Sequence, residues 1–353
     1  MGLADGGRAR RLAAARCALR ILRRALRVGD DRRGKRIKFP NSGRKTMAKE
    51  RIGFVGVGLM GHGMAKNLVE KGYPLTILGH RNRAPVEDLV KRGAVEAHAA
   101  RELAEKSDVI FLCVTGAAEV DALMRGKDGV AAGAKKGAIV VDTSTSEPTL
   151  TRALAEELAA RGVTFCDAPL ARTPKEAEEG KLGVMMGGDA ATFEKLKPIL
   201  ACFADTVHHV GPVGAGHAIK LINNFLAMGY GAIYAEAIAL GRKAGIEPKI
   251  FDKVIRGGRM DCGFYQTFMG YALDGNRESH KFALRNAHKD MRYVTNLGNA
   301  SGIVNAVAAA VKNSYAAAEG MGYGGENVPL LVDAIAQLNG LSPLHAAKRS
   351  AAE

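Results

Sequence analysis

The chain has 353 residues and a formal net charge of +15, from 51 Lys and Arg against 36 Asp and Glu, a balance that by itself would suit nucleic acid or an anionic membrane. The excess is local: residues 1–46 hold 12 Arg and 3 Lys against 3 Asp, so residues 47–353 carry only +3. No uncharged apolar run reaches the ~18 residues of a membrane span, and the five cysteines form no Cys-x-x-Cys or other metal-ligand spacing, so a membrane protein, a thiolate metal site and a nucleic-acid partner are not expected.

Residues 1–46 form an Arg- and Ala-rich leader ahead of Met47. Interspersed arginines exclude a secretory signal. A mitochondrial transit peptide is partly matched, but such peptides are Ser-rich and only Ser42 is present. Translation from Met47 is favoured over a transit peptide and over a functional basic tail. The leader is therefore expected to be disordered or untranslated and the protein cytoplasmic, or in the mitochondrial matrix if the leader is a transit peptide. The remaining 307 residues suggest two domains.

Ile52, Phe54 and Val55 predict a short strand, and Met60, Met64, Leu68 and Val69 then recur at helical spacing. Between them lies Gly56-x-Gly58-x-x-Gly61. Gly56 permits a tight turn, Gly58 lets backbone approach a pyrophosphate, and Gly61 lets helix and sheet pack closely. The helix N-terminus would face the phosphates. A bare glycine triplet is a weak signal; the flanking strand and helix make it a dinucleotide-binding opening, with Gly56, Val57, Gly58, Leu59, Met60 and Gly61 against the cofactor.

A second strand, Leu75–Leu78, precedes Gly79-His80-Arg81-Asn82-Arg83. An acid about 20 residues past the glycines commonly holds a free ribose 2′-hydroxyl. No carboxylate occurs here, and two guanidiniums could pair with a 2′-phosphate. NADP is therefore favoured over NAD, with His80 and Arg81 at the ribose; the alternative is a solvated loop.

Apolar runs at 109–114, 138–141 and 163–166 predict parallel strands covered on both faces. A helix is expected over 147–161, with Pro148 in its first turn and Thr145 or Ser146 as cap. The strands end in Thr115, in Asp142-Thr143-Ser144-Thr145 and in Asp167, and such carboxyl ends line the ligand crevice of an open α/β sheet. Beyond Gly211 the pattern turns helical: a long helix over 217–243, then 284–297, 303–318 and 328–338. Gly229, Gly231, Ala235 and Ala239 would allow close packing of the long helix within or between subunits. The organisation read from this is an α/β domain over 47–211, an all-α domain over 212–342 and a tail over 343–353.

The segment Gly211-Pro-Val-Gly214-Ala-Gly216-His-Ala-Ile-Lys220-Leu-Ile-Asn223-Asn224 places Lys220 early in the long helix, with Asn223 and Asn224 three and four residues on, sharing its face. Burial beside Ile219, Leu221 and Ile222 would lower the amine's pKa toward that of a proton shuttle. The alternative is a lysine snorkelling to solvent.

The segments GFVGVGLMGHGMAKNL, DTST, DAPL, GPVGAGHAIKLINN and HKDM occur in the order and spacing of the β-hydroxyacid dehydrogenases, which include 3-hydroxyisobutyrate dehydrogenase and tartronate semialdehyde reductase. The chain resembles that family from about residue 50 to 342. The resemblance implies a Rossmann-like domain, a helical domain and an active site between them, in a homodimer or homotetramer built on the helical domain. It implies that Lys220 exchanges a proton with the substrate hydroxyl as hydride passes to or from the nicotinamide. Asn224 would hold the lysine and the substrate oxygen, and Asn223 would contact a small anionic substrate. Val114, Thr115 and Thr145 would border the cofactor, and Lys289 would reach its nicotinamide side. The alternative for Lys289 and Asp290 is an exposed charge pair.

One departure is expected to matter. Where the family commonly reads DAPVSGG, this chain reads Asp167-Ala-Pro-Leu-Ala171-Arg172-Thr173. The usual serine is Ala171 and a glycine is Arg172, which could pair with a carboxylate or sulfonate. A similar pattern occurs in the sulfolactaldehyde reductase branch, an alternative alongside tartronate semialdehyde reductase. A non-catalytic dinucleotide-binding protein with a nucleic-acid-binding tail is the alternative from another class, and Lys220 argues against it. Imine reductases commonly replace that lysine, and phosphogluconate dehydrogenase carries a histidine where Asn223 stands here.

Overall fold

A computed structural model describes residues 49–345; the basic leader, with its alternative start and targeting readings, and the end of the tail lie outside the described residues. In chain order the first half runs β1 (Ile52–Val55), α1 (Gly61–Glu70), β2 (Leu75–Leu78), α2 (Ala84–Lys91), β3 (Val95–Ala97), α3 (Ala100–Glu105), β4 (Val109–Leu112), α4 (Ala117–Arg125), α5 (Val130–Gly133), β5 (Ile139–Asp142), α6 (Pro148–Ala159), β6 (Thr164–Asp167), β7 (Leu170–Ala171), α7 (Pro174–Glu179), β8 (Leu182–Gly187), α8 (Ala190–Leu200) and β9 (Ala204–Gly211). The sheet order is β3-β2-β1-β4-β5-β6-β8-β7, with β9 on β8.

β1 to β6 are mutually parallel, and β8 runs antiparallel to β6 and β7. Every residue of β1, β4 and β5 is buried. Alternate side chains feed two cores, one on each face of the sheet. Phe54, Phe111, Val141 and the α1 residues Met64 and Leu68 fill one; Val55, Ile110, Val140, Leu103 and Leu154 fill the other. The expected parallel strands are thus present, in the α/β Rossmann-like arrangement. Neither Thr145 nor Ser146 caps α6: Glu147 occupies the N-cap position, without a side-chain cap bond.

The second half is helical: α9 (Ala215–Lys243), α10 (Pro248–Ile255), α11 (Gly263–Asp274), α12 (Leu284–Ala300), α13 (Ala306–Ala318), a turn of π-helix at Glu319–Tyr323, a 3₁₀ turn at Val328–Leu330 and α14 (Leu331–Leu338). α9 lies central, packed on α10 to α14. Its small residues serve packing within this chain: a Cβ on Gly231 would lie 2.8 Å from the Tyr315 hydroxyl oxygen, and that hydroxyl donates to the Met228 carbonyl at 3.1 Å. Another face carries Ile219, Ile222, Leu226, Tyr230, Ile233 and Leu240, all exposed, at the three- and four-residue spacing of one apolar stripe for most of its length. No helix among the described residues is long and apolar enough to cross a membrane.

Candidate active site

The parallel order brings the carboxyl ends of β1, β4 and β5 side by side, so the glycine turn, Val114-Thr115 and Thr145 line one crevice rim, with Thr143 and Ser144 buried beneath it. The turn fits a dinucleotide by its sterics. Gly56 has φ +98°, and a Cβ there would lie 2.1 Å from the Cys113 carbonyl oxygen; a Cβ on Gly61 would lie 2.0 Å from the Gly56 carbonyl oxygen. Gly58 has nothing within 4 Å, which leaves one open side for a pyrophosphate beside the α1 N-terminus. Val57 is buried, Met60 partly covered, and Leu59 stands exposed at the mouth.

The ribose end differs from the sequence expectation. His80 and Arg81 are exposed and available. Arg83 is committed: its Nη1 and Nη2 donate to Glu96 Oε1 and Oε2, each at 2.8 Å. Glu96 lies on β3, the neighbour of β2, so a carboxylate does reach this end of the sheet, by strand pairing rather than by local sequence.

α9 is rooted in the sheet. Gly214, at φ +88°, turns the chain into the helix, and the backbone N–H groups of Gly214 and His217 each donate to the Asp167 carboxylate at 2.7 Å. A Cβ on Gly216 would lie 2.4 Å from the Met185 carbonyl oxygen, so only glycine fits where helix meets β8. Lys220 follows in the second turn, half-buried. Burial pushes its pKa down, Asp290 pulls it up and Lys289 pushes it down further. Asn223 is exposed and Asn224 buried.

Asn224 does not hold the lysine by a direct bond. Its Nδ2 donates to Asp290 Oδ2 at 2.7 Å, which aims its amide oxygen elsewhere, within 3.5 Å of Asn223 Nδ2. Asp290 is only 1% exposed, which overturns the solvated charge pair. Its other oxygen lies 3.1 Å from Lys289 Nζ. Lys289 in turn donates to the Thr115 carbonyl and reaches the Thr145 carbonyl at 3.4 Å. Tyr293, one turn on, accepts from the Ala117 N–H at 3.0 Å. α12 therefore ties the ends of β4 and β5 to Asn224 through one buried carboxylate. Its periodicity carried the signal, since Ala287, Asp290, Met291 and Val294 share the buried stripe.

Arg172 and Thr173 are placed differently from expectation. Arg172 has φ +79°, the left-handed region that suits the family's glycine. Its guanidinium donates to the Lys181 carbonyl and to Asp205 Oδ2 at 2.7 Å, so it is engaged on β9 rather than held out as an anion clamp. The Thr173 N–H and hydroxyl both bond Glu176 in the capping box of α7. Ala171 pairs with Gly183 in the β7–β8 ladder. The argument for a sulfonate substrate loses its residue.

Behind the rim sits a buried cluster that the sequence did not announce. His217 is fully buried, with Nδ1 2.7 Å from Thr151 Oγ1. The Thr151 hydroxyl donates to the Glu147 carbonyl, an arrangement that suits Nδ1–H as the donor to Thr151. Nε2 lies 3.7 Å from Asp142 Oδ2, and neither atom has a hydrogen-bond partner among the described residues. Burial pushes Asp142 from 3.8 up to about 6, against hydrogen bonds from Ser144 and the charge of Lys289, and burial lowers His217. Because the folded value of Asp142 is raised, its contribution to stability is complete below about pH 4 and is lost as pH rises through 6. Relative to Asp142→Asn, the native protein is expected to lose about 3 kcal/mol between these limits. Urea unfolding of both proteins at pH 3 and 7, each about one pH unit beyond those limits, measures the difference, and a pH-independent difference contradicts it.

A glycine turn on a parallel sheet, a helical half rooted beside it, and a desolvated lysine and amide at their junction define a nicotinamide-dinucleotide oxidoreductase. Residues 51–211 match the NAD-binding domain of 6-phosphogluconate dehydrogenase, and residues 214–335 match the NAD-binding domain of NADP-dependent 3-hydroxyisobutyrate dehydrogenase. The chain is 31% identical over 300 residues to 2-(hydroxymethyl)glutarate dehydrogenase of Eubacterium barkeri, covering 83% of this chain and 97% of that protein. Over 241 residues it is 32% identical to mitochondrial 3-hydroxyisobutyrate dehydrogenase of Rattus norvegicus, covering 68% and 72%. The crystal structure of 3-hydroxyisobutyrate dehydrogenase from Salmonella typhimurium superposes with a TM-score of 0.70 at 29% identity, covering 80% of this chain and 98% of that one. The chain belongs to the β-hydroxyacid dehydrogenase family, enzymes that act on CH–OH groups with a nicotinamide dinucleotide.

Proposed function

We propose that this protein interconverts a small β-hydroxy acid and its semialdehyde, preferring NADP, with Lys220 as proton donor and acceptor. The observation that carries this is the desolvated Lys220 amine one helical turn before the amide that Asp290 fixes. 3-Hydroxyisobutyrate and 2-(hydroxymethyl)glutarate, named for the relatives above, share a primary alcohol on the carbon next to the one bearing a carboxylate.

The glycine turn would hold the pyrophosphate and the rim of Val114, Thr115 and Thr145 the nicotinamide, which when bound supplies or accepts the hydride. Lys289, already turned to the Thr115 and Thr145 carbonyls, would fix that rim. In oxidation neutral Lys220 takes the proton of the substrate hydroxyl; in reduction its ammonium returns it. The Asn224 amide holds the reacting oxygen within the lysine's reach, and Asn223, exposed at the mouth, meets the substrate body. Arg81 supplies the preference for a 2′-phosphate. The exposed apolar stripe of α9 supports a homodimer or homotetramer joined through this helix, since a contiguous apolar face of this kind marks an interaction surface.

The test is a panel of 3-hydroxyisobutyrate, 2-(hydroxymethyl)glutarate, tartronate semialdehyde, succinic semialdehyde and sulfolactaldehyde, assayed with both cofactors, with light scattering on the same preparation. Turnover of a carboxylate substrate with the larger kcat/KM for NADPH, by a dimer or tetramer, is expected. Turnover of none of them, or only of the sulfonate, overturns the substrate reading; a monomer overturns the assembly.

A further inference from the structure

The ribose end of the sheet carries more chemistry than one arginine. A Cβ on Gly79 would lie 2.2 Å from Glu96 Oε1 and 2.5 Å from Arg83 Nη1. The ion pair thus lies across the backbone that ends β2, and the missing side chain of Gly79 makes its room. In a dinucleotide fold this is where the adenosine ribose sits. The two partners are opposite answers to one question: a carboxylate accepts from a free 2′-hydroxyl and repels a phosphate, whereas a guanidinium pairs with the phosphate. Both are surface groups, with side chains 50% and 26% exposed for Arg83 and Glu96, so the pair is held by modest energy and can be reopened by a ligand. Arg81, two residues from Arg83, makes no competing contact among the described residues.

We propose that the Arg83–Glu96 pair is a second specificity element for the cofactor. Arg83 masks the Glu96 carboxylate so that a 2′-phosphate is tolerated, and Glu96 restrains Arg83 so that NADP gains less over NAD than a free guanidinium would give it. The pair moderates the preference that Arg81 sets. The inference rests on the cofactor reading above and deepens it at the ribose.

The experiment is titration of NADPH and NADH by the change in their fluorescence on binding, which needs no substrate. Glu96→Gln frees Arg83 and is expected to raise the ratio Kd(NADH)/Kd(NADPH) about tenfold, the scale of one charge-assisted contact. Arg83→Gln unmasks Glu96 and is expected to lower that ratio by about tenfold or more. In Arg83→Gln/Glu96→Gln the ratio returns toward that of the native protein. Opposite shifts in the two single variants support the proposal; both ratios within about twofold of the native one, or shifts in the same direction, overturn it. A native ratio below one would instead overturn the assignment of Arg81 while leaving the opposite shifts intact, so the two failures are separable. Both side chains are exposed enough that the variants are expected to fold, which the melting temperature checks.

Discussion

Lys220→Ala is expected to lower kcat by roughly a hundredfold to ten-thousandfold, the usual worth of a positioned proton donor or acceptor, while NADPH binding stays within about twofold of native. The pH dependence carries the sign. Oxidation needs the neutral amine, so its rate falls as pH drops below the Lys220 pKa; reduction needs the ammonium, so its rate falls as pH rises above it. Burial moves that crossing below the ordinary lysine value. In the alanine variant the limb disappears, and small primary amines added to the assay are expected to restore part of the rate. Near-native turnover on the best substrate, or a limb that survives the substitution, contradicts the assignment.

The second large effect is at Asp290, which touches neither cofactor nor substrate in the scheme above but positions the groups that do. Asp290→Ala leaves the Asn224 amide without its acceptor and Lys289 without its countercharge, and is expected to cost about a hundredfold in kcat, the scale of a misplaced reacting group. A structural role alone would predict the same loss, so Asp290→Asn is the discriminating variant. It keeps an acceptor for Asn224 and removes the charge that raises the Lys220 pKa. The oxidation limb is then expected to move to lower pH with a smaller loss of kcat. A limb unmoved in Asp290→Asn rules out this coupling.

Much of the molecule was legible because the period of its apolar residues is local information. β1, β4, β5 and β6 are continuous apolar runs, and α9 is long and small-residued; both follow from being covered on several sides. β9 escaped because Asp205, His208 and His209 break its apolar pattern at a strand paired only with β8. The site was legible where it is a motif and illegible where it is a meeting of distant segments. Gly56, Gly58 and Gly61 announce themselves within six residues. Glu96 reaches the ribose end only through the β2–β3 pairing, and the Asp142–His217 contact joins residues that a linear reading keeps apart. Arg172 misled for a different reason: its side chain suggested an anion site, while its backbone conformation reports a glycine position that an arginine now occupies.

The root of α9 has a consequence for motion. Asp167 clasps the first N–H groups of that helix and Gly216 fits against β8 with no room to slide, so the helix start behaves as part of the sheet. Any hinge between the halves must then pivot elsewhere, and the weaker ties are those of Lys289 and Tyr293 to the loop after β4. α12 itself packs along α9, so Lys289 and Asp290 are expected to stay with Lys220 rather than swing away from it. Any opening is then expected to part the loop after β4 from α12 while Lys220 keeps its place on the sheet.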